Sequence, residues 1–270
     1  MEGIQEALVS AAIEGQELLG TFCPRVERPS PVQFLRDFVL PNKPCIVTGV
    51  MDGWPAMQRW DDDFLCARLG DKQVSINVTP DGRGDAVTKE GYFAMPEERW
   101  MRFDEFLIKL RDKESDEVCY LSSQNDNLRQ EIGHPLLQDV PQSLAFADDA
   151  LGQKPDAVNL WMGDSRALTT LHKDHYENLY AVVQGCKTFT LYPPAALPLL
   201  YPAQCTPKTY RKVGASWTLA DSKHDEPGST RPWITVDPEK GANEECPLFR
   251  HAAATKVDVR RGEVWVCVFV

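Results

Sequence analysis

The second half of the chain consists of short apolar runs separated by turn residues. These runs are typical of β-strands and cover residues 157–162, 167–173, 178–184, 187–192, 257–260 and 264–270. Gln184-Gly185-Cys186 predicts a tight hairpin between the third and fourth runs, and Pro193 ends the fourth. Short antiparallel strands of this kind bury their apolar faces by closing into a small barrel or a jelly roll.

The first half alternates helical and strand patterns. Helices are predicted over residues 4–20, after a Ser30-Pro31 cap, and over residues 103–110. Strands are predicted over residues 45–50, 73–79 and 118–122, and a long polar insertion over residues 202–255. The chain of 270 residues is therefore expected to be mainly β with N-terminal helices.

The net charge of −11 limits the ligands that the surface attracts. An acidic surface repels phosphate backbones, so we expect no nucleic-acid ligand, and a basic protein partner fits the charge better. The same charge also serves solubility alone. Both interpretations remain open from composition.

Cysteine usage and hydropathy indicate a cellular compartment. The eight cysteines are widely spaced without a C-x-x-C pair, which argues against a zinc ribbon and a disulfide scaffold. The N-terminus carries no secretory signal pattern, and no apolar run approaches the roughly 18 residues that a membrane span needs. We therefore expect a cytoplasmic or nuclear protein without a membrane partner.

The segment around His172 and Asp174 carries the clearest chemical signal. Residues i and i+2 of a strand point to one face, so His172 and Asp174 could bind one metal ion from neighbouring inward positions. A histidine and a carboxylate are two of the three ligands in the facial triad of non-haem Fe(II) oxygenases. His-x-Asp is also frequent by chance, and on a helix His172 would pair with His175 instead. The flanking strand patterns favour the metal interpretation.

Three neighbouring residues suit a dicarboxylate cosubstrate. Lys187 could supply a cation in a partly dry pocket, with Thr169 and Asn178 as hydroxyl and amide partners. Each of these residues has a simpler explanation when taken alone, since Lys187 could be a solvated hairpin lysine. The combination with His172 and Asp174 is what indicates a site.

Taken together, these residues resemble the cupin-like group of jumonji-C oxygenases. The resemblance rests on long strings, which run over residues 169–180, 185–187 and 191–194, with further matches over residues 41–46, 78–82 and 155–161. It implies a double-stranded β-helix (jelly-roll or cupin) barrel over residues 41–270 and a helical extension over residues 1–40. It covers nearly the whole chain and is weakest over residues 200–250.

The resemblance implies a role for each site residue. His172 and Asp174 would bind Fe(II), and Lys187 would hold the distal carboxylate of 2-oxoglutarate with help from Thr169, Asn178 and Tyr120. Tyr120 could equally be a core tyrosine of its strand. A member of the group hydroxylates a lysine of translation-factor-type GTPases, so a protein substrate with an exposed lysine is expected. Homodimers occur in the wider family, which makes self-association a further expectation.

The sequence departs from the family pattern at its C-terminal end. The family's Gly-Glu turn is present as Gly262-Glu263, but Cys267-Val268-Phe269-Val270 replaces the segment that leads to the distal histidine. We therefore expect a barrel that is incomplete at the C-terminus, without its last strands and without the third iron ligand. His224 and His251 are the downstream alternatives, and neither matches the family's context.

Three functions remain open at this point. The first is a lysyl hydroxylase that depends on Fe(II) and 2-oxoglutarate. The second is a catalytically inactive binding module that has lost its triad. The third is a metallopeptidase, which is the least supported, because the sequence has no His-Glu-x-x-His motif and no nucleophile elbow.

Overall fold

The computed structural model describes residues 2–20, 22–223 and 225–267. Its α-helices are α1 (Glu2–Leu19), α2 (Pro31–Phe34), α3 (Ala56–Arg59), α4 (Asp62–Leu69), α5 (Phe103–Arg111), α6 (His134–Leu137) and α7 (Ala145–Leu151). Two π-helical turns cover Leu35–Val39 and Leu128–Ile132, and two 3-10 segments cover Pro194–Leu200 and Pro247–His251.

The sequence pattern predicts nine of the strands that form. In all, the described residues form seventeen strands. They are β1 (Arg25–Glu27), β2 (Cys45–Thr48), β3 (Gln73–Thr79), β4 (Arg83–Gly84), β5 (Ala86–Val87), β6 (Tyr92–Met95), β7 (Glu97–Arg102), β8 (Val118–Leu121), β9 (Met162–Gly163), β10 (Leu168–Thr169), β11 (Asn178–Ala181), β12 (Cys186–Leu191), β13 (Pro202–Val213), β14 (Ser216–Asp221), β15 (Arg231–Ile234), β16 (Thr255–Arg260) and β17 (Val264–Cys267).

Two curled sheets form the centre of the β structure. One is four-stranded in the order β1-β2-β17-β11, and the other pairs β12 with β16. Ile46 and Trp265 from the first sheet pack with Val257 and Val259 from the second in one apolar core. The ring centroids of Phe189 and Trp265 lie 3.9 Å apart across this core. Two sheets packed in this way form the core of a jelly roll.

A third sheet carries the larger apolar core. It has the order β7-β3-β8-β9, and it packs against α4 and α5 through Val74, Ile76, Phe103 and Phe106. The carboxylate of Asp61 caps α4 by accepting a hydrogen bond from the backbone N–H of Phe64 at 2.8 Å. This sheet brings β8 and β9 beside the central jelly roll.

The predicted hairpin at residues 184–186 is wrong. Gly185 does make a turn with φ of +76°, but β11 pairs with β17 and β12 pairs with β16. The chain therefore passes from one sheet of the jelly roll to the other at this turn. A two-residue turn signal predicts a reversal of the chain, and it does not determine which strands pair afterwards.

The polar insertion contains strands that the sequence pattern did not predict. β13 and β14 form an antiparallel hairpin, β15 folds back on the start of β13, and β13 also pairs in parallel with β6. Most side chains of this sheet are exposed or only partly buried, so the apolar alternation that marks a strand is weak.

The N-terminal helices form as predicted. The hydroxyl of Ser30 accepts the backbone N–H of Gln33 at 3.2 Å, and Pro31 occupies the first turn of α2. The buried side chain of Gln16 on α1 donates to the carbonyl oxygen of His251 and accepts from the backbone N–H of Ala253. Helix α1 is thereby fixed to the segment that precedes β16.

No helix among the described residues is long and apolar enough to cross a membrane. The cysteines whose side chains the structure describes are all free thiols.

Candidate active site

His172 and Asp174 lie together in the loop between β10 and β11. The distance from His172 Nε2 to Asp174 Oδ2 is 3.6 Å. The prediction that both residues lie on a strand is wrong, because the strand β10 ends at Thr169 and the loop is irregular. The two side chains meet through the course of the loop and not through strand alternation.

A backbone contact orients the His172 ring. Its Nδ1 lies 2.7 Å from the carbonyl oxygen of Thr170. A carbonyl oxygen only accepts, so Nδ1 carries the proton and Nε2 of the neutral ring is left with its lone pair. Nε2 is the atom that faces Asp174. This is the tautomer that a metal ligand needs.

Asp174 is held by a side-chain amide. Asn178 Nδ2 donates to Asp174 Oδ2 at 2.9 Å, and Asn178 is the first residue of β11. The neighbouring His172 lowers the pKa of Asp174, which keeps the carboxylate ionised. The nearby Asp174 carboxylate in turn raises the pKa of His172, because it favours the protonated imidazole. Asn178, predicted to help the cosubstrate, contacts the metal-binding carboxylate in this structure.

The strand pair β4–β10 fixes where this loop begins. Leu168 and Thr169 pair in parallel with Arg83 and Gly84, and the backbone N–H of Leu168 donates to Gly82 at 2.9 Å. The hydroxyl of Thr170 donates to the carbonyl oxygen of Asp85 at 2.5 Å. Burial raises the pKa of Asp85, whose charge also interacts with His172.

Lys187, on β12, carries a half-buried cation. Its Nζ lies 3.2 Å from the hydroxyl of Tyr120 and 5.3 Å from the centre of that ring. Burial lowers the pKa of Lys187. No carboxylate of the described residues forms an ion pair with this ammonium group. A half-buried cation that lacks an anionic partner suits an anionic ligand.

Tyr120 and Thr169 complete the surroundings of Lys187. Burial raises the pKa of Tyr120, and Tyr180 and Thr169 both lie close enough to its hydroxyl to influence that pKa. Tyr120 lies on β8, so the third sheet contributes this hydroxyl. The structure therefore brings three of the predicted cosubstrate residues together, namely Lys187, Thr169 and Tyr120.

A glycine makes room for the Tyr120 ring. A Cβ atom at Gly163 would lie 2.6 Å from Cδ2 of Tyr120, well inside van der Waals contact. Gly163 pairs with Tyr120 between β8 and β9. Any larger residue at position 163 would displace the ring from the site.

No third metal ligand joins His172 and Asp174 within the part of the chain that the structure describes. No group of three His, Cys, Asp or Glu side chains there could hold a metal ion. His251 lies in the 3-10 segment beside α1, where its Nε2 accepts from Arg250. His224 lies outside the described residues.

Two residues of the site could not be singled out from sequence. Tyr180 lies beside the Tyr120 hydroxyl and contributes with burial to its raised pKa, and Trp233 from the insertion stacks on His172. Tyr180 lies within a string that matches the family, but an aromatic residue in a strand is usually a core residue. Trp233 lies in a polar segment without any recognisable motif.

Comparison with known proteins places the chain in a family. A model of the cupin-like domain matches residues 31–267. Human "Bifunctional peptidase and (3S)-lysyl hydroxylase JMJD7" is 39% identical over 87% of this chain and 74% of its own length. "JmjC domain-containing protein E" of Dictyostelium discoideum is 35% identical over 89% of this chain and 74% of its own length. "Lysine-specific demethylase JMJ32" of Arabidopsis thaliana is 39% identical over 86% of this chain and 70% of its own length.

These matches confirm the resemblance, the jelly-roll fold class and the oxygenase class that the sequence motifs indicate. The matched region contains every residue of the candidate site and the two sheets of the jelly roll except the edge strand β1. The chain therefore belongs to the cupin-like jumonji-C family of 2-oxoglutarate-dependent oxygenases.

Proposed function

We propose that this protein is an Fe(II)- and 2-oxoglutarate-dependent hydroxylase that acts on a lysine side chain of a protein substrate. The observation that supports it most is the position of Lys187. Its half-buried ammonium group, without a carboxylate partner among the described residues, lines the same cleft as His172 and Asp174. A cation beside a metal-ligand pair suits a dicarboxylate that also contacts the metal.

His172 and Asp174 would hold the iron. Two ligands in adjacent positions of an octahedral ion, with bonds of about 2.1 Å, lie roughly 3 Å apart. The observed 3.6 Å between Nε2 and Oδ2 is close to that separation. An imidazole and a carboxylate are two of the three protein ligands of a non-haem iron triad, and jumonji-C membership implies both Fe(II) and 2-oxoglutarate. Bound iron would supply the coupled oxidation of 2-oxoglutarate and of a substrate C–H bond.

Lys187, Tyr120 and Thr169 would bind the distal carboxylate of 2-oxoglutarate. Lys187 supplies the charge, and the Tyr120 and Thr169 hydroxyls supply directional hydrogen bonds. Asn178 holds the Asp174 carboxylate in place through its amide. Trp161, whose ring centroid lies 5.7 Å from that of Tyr120, helps to exclude water from the tyrosine ring.

The cleft above these residues suits a basic protein segment. Its volume of about 2450 Å³ exceeds the roughly 300–1,000 Å³ that small-molecule pockets occupy. Twelve acidic and seven basic side chains line the cleft in the described part of the chain. An excess of carboxylates attracts a positively charged substrate. The human relative carries "(3S)-lysyl hydroxylase" in its name, and the Arabidopsis relative carries "Lysine-specific demethylase".

Mass spectrometry of a lysine-bearing protein substrate tests this function. The protein is incubated with Fe(II), 2-oxoglutarate, O₂ and a translation-factor-type GTPase, beside an Asp174→Ala control. We expect a lysine of the substrate to gain the mass of one oxygen atom, and only with the unaltered enzyme. Loss of methyl groups from a methylated lysine, or cleavage without 2-oxoglutarate, would contradict the proposal.

A further inference from the structure

The insertion between β12 and β16 places an aromatic ring on the candidate iron ligand. Trp233 lies on β15, and its ring stacks on that of His172 with 5.9 Å between centroids and 7° between planes. The indole Nε1 donates to the hydroxyl oxygen of Thr170 at 3.4 Å. Trp233 therefore contacts both the imidazole and the residue whose carbonyl oxygen fixes its Nδ1.

The position of Trp233 is itself determined by strand pairing. Trp233 lies opposite Ala203 on β13, and the following part of β13 pairs with β6. Phe93 of β6 is 2% exposed, and its ring centroid lies 4.6 Å from that of Trp233. The indole is thus supported by a buried ring of the neighbouring sheet strand, and it has little freedom to move away from His172.

Two interactions compete for the proton of the neutral His172 ring. A proton on Nδ1 is stabilised by the carbonyl oxygen of Thr170 at 2.7 Å. A proton on Nε2 would instead face the carboxylate of Asp174 at 3.6 Å. A metal ion needs the first tautomer, because only then does Nε2 offer its lone pair. Anything that fixes the ring against Thr170 favours the metal-binding form.

We propose that Trp233 is a positioning residue that holds the His172 imidazole in its metal-binding orientation and tautomer. The stacked indole restricts rotation of the imidazole about its bond to Cβ, and the indole N–H restrains Thr170, which itself bonds to Asp85. The inference rests on the proposed function, because the role given to the insertion is to support the proposed iron site. Partners that orient a metal-binding histidine typically contribute about 10–100-fold to metal affinity.

The first measurement concerns the imidazole alone. We would record the ¹⁵N resonances of His172 in the metal-free protein at alkaline pH, and assign them by their loss in His172→Gln. We expect Nδ1–H to predominate in the unaltered protein and in Trp233→Phe, which keeps a ring on the imidazole. In Trp233→Leu we expect the Nε2–H form to gain population.

A matched variant controls for the loss of an indole from the same insertion. Trp217 lies on β14 and packs against Tyr210 with 6.1 Å between ring centroids. Trp217→Leu removes a ring of the same size from the same sheet, so it reports on general loosening of the insertion. We expect its His172 resonances to match those of the unaltered protein.

The second measurement is Mn(II) affinity by electron paramagnetic resonance. We expect Trp233→Leu to bind Mn(II) at least about tenfold more weakly than the unaltered protein. Trp233→Phe and Trp217→Leu should bind Mn(II) with nearly the affinity of the unaltered protein. Equal Mn(II) affinity or an equal tautomer population in Trp233→Leu would overturn the proposal. If the expected affinities are found but no lysine is hydroxylated, the proposed function alone fails. If hydroxylation proceeds and Trp233→Leu binds like the unaltered protein, the positioning role alone fails.

Discussion

At the scale of single residues, the site depends on the half-buried charge of Lys187. The Lys187 side chain is partly shielded from water, with its Nζ against the Tyr120 ring, and this partial burial lowers its pKa. A half-buried ammonium group without an anionic partner is unfavourable in the free protein. An incoming carboxylate removes this cost, so the cavity is prepared for an anion before the ligand arrives.

Replacing Lys187 should weaken 2-oxoglutarate binding specifically. A hydrogen bond to a charged group contributes about 1.5–3 kcal/mol, so Lys187→Met should raise the dissociation constant about 10- to 100-fold. Because burial lowers the pKa of Lys187, affinity should also fall at a less alkaline pH than for an ordinary lysine, as the ammonium group loses its proton. Titration calorimetry with Mn(II) present measures both effects. Lys154→Met, at an exposed lysine of the same cleft, serves as the control, and an equal loss there would contradict the account.

The chemistry of the residues was easier to predict than their positions. His172, Asp174, Lys187 and Thr169 could be singled out because their residue types and spacing are visible in the sequence. The strand that was to carry His172 and Asp174 does not form, and Asn178 contacts Asp174 through a loop geometry that no spacing rule describes. Trp233 lies 63 residues from Thr170, and the pairing of β15 with β13 and of β13 with β6 brings the two together.

At the scale of elements, the short strand pair β4–β10 decides where the metal-binding loop begins. Gly82 precedes β4 with a φ of +85°, and a Cβ atom there would overlap the carbonyl oxygen of Arg166. The backbone approaches this closely because Leu168 donates its N–H to Gly82. Glycine is the residue that both the positive φ and the close approach require.

Substitution of Gly82 should therefore disturb the loop. Gly82→Ala should lower the free energy of unfolding by at least about 2 kcal/mol, because the residue is strained and its Cβ clashes with backbone. Gly84→Ala is the matched control, since its Cβ would meet only Pro96 at 3.8 Å. Urea denaturation compares the two variants. If Gly82→Ala is as stable as Gly84→Ala, the proposed role of this strand pair is wrong.

Strands with an apolar pattern were predictable, while polar strands and strand partners were not. The prediction for β3 agrees with the structure, because Val74, Ile76 and Val78 occupy every second position of the strand and are buried in the core. β13 and β14 carry mostly polar and half-exposed residues, so their sequence predicts a polar insertion and not strands. The turn at Gly185 could be predicted from the sequence. The two strands that flank it belong to different sheets, because each pairs with a strand far away in the chain.

At the scale of the whole molecule, the carboxylate of Glu117 forms ion pairs with both the insertion and the third sheet. Glu117 pairs with Arg99 of β7, Lys109 of α5 and Lys212 of β13. Burial alone would raise its pKa, but the hydrogen bonds from these cations outweigh burial and lower it to about 2. The network joins three elements that lie far apart in the chain.

This network predicts how stability depends on pH. Glu117 has a usual pKa of 4.5 and a folded pKa of about 2, so its contribution is complete above 4.5 and is lost as the pH falls toward 2. Glu117→Gln should therefore be less stable by about 2 kcal/mol near neutral pH, and the difference should shrink below pH 4.5. Thermal unfolding over a pH series measures this. A difference that does not change with pH would contradict the account.

The most direct test of the site is succinate formation by the purified 270-residue chain with Fe(II), 2-oxoglutarate and O₂. His172→Ala and Lys187→Met are measured beside it, with folding checked by circular dichroism. We expect succinate from the unaltered chain, none above background from His172→Ala, and a raised 2-oxoglutarate requirement in Lys187→Met. A folded, unaltered chain that forms no more succinate than His172→Ala would contradict the account.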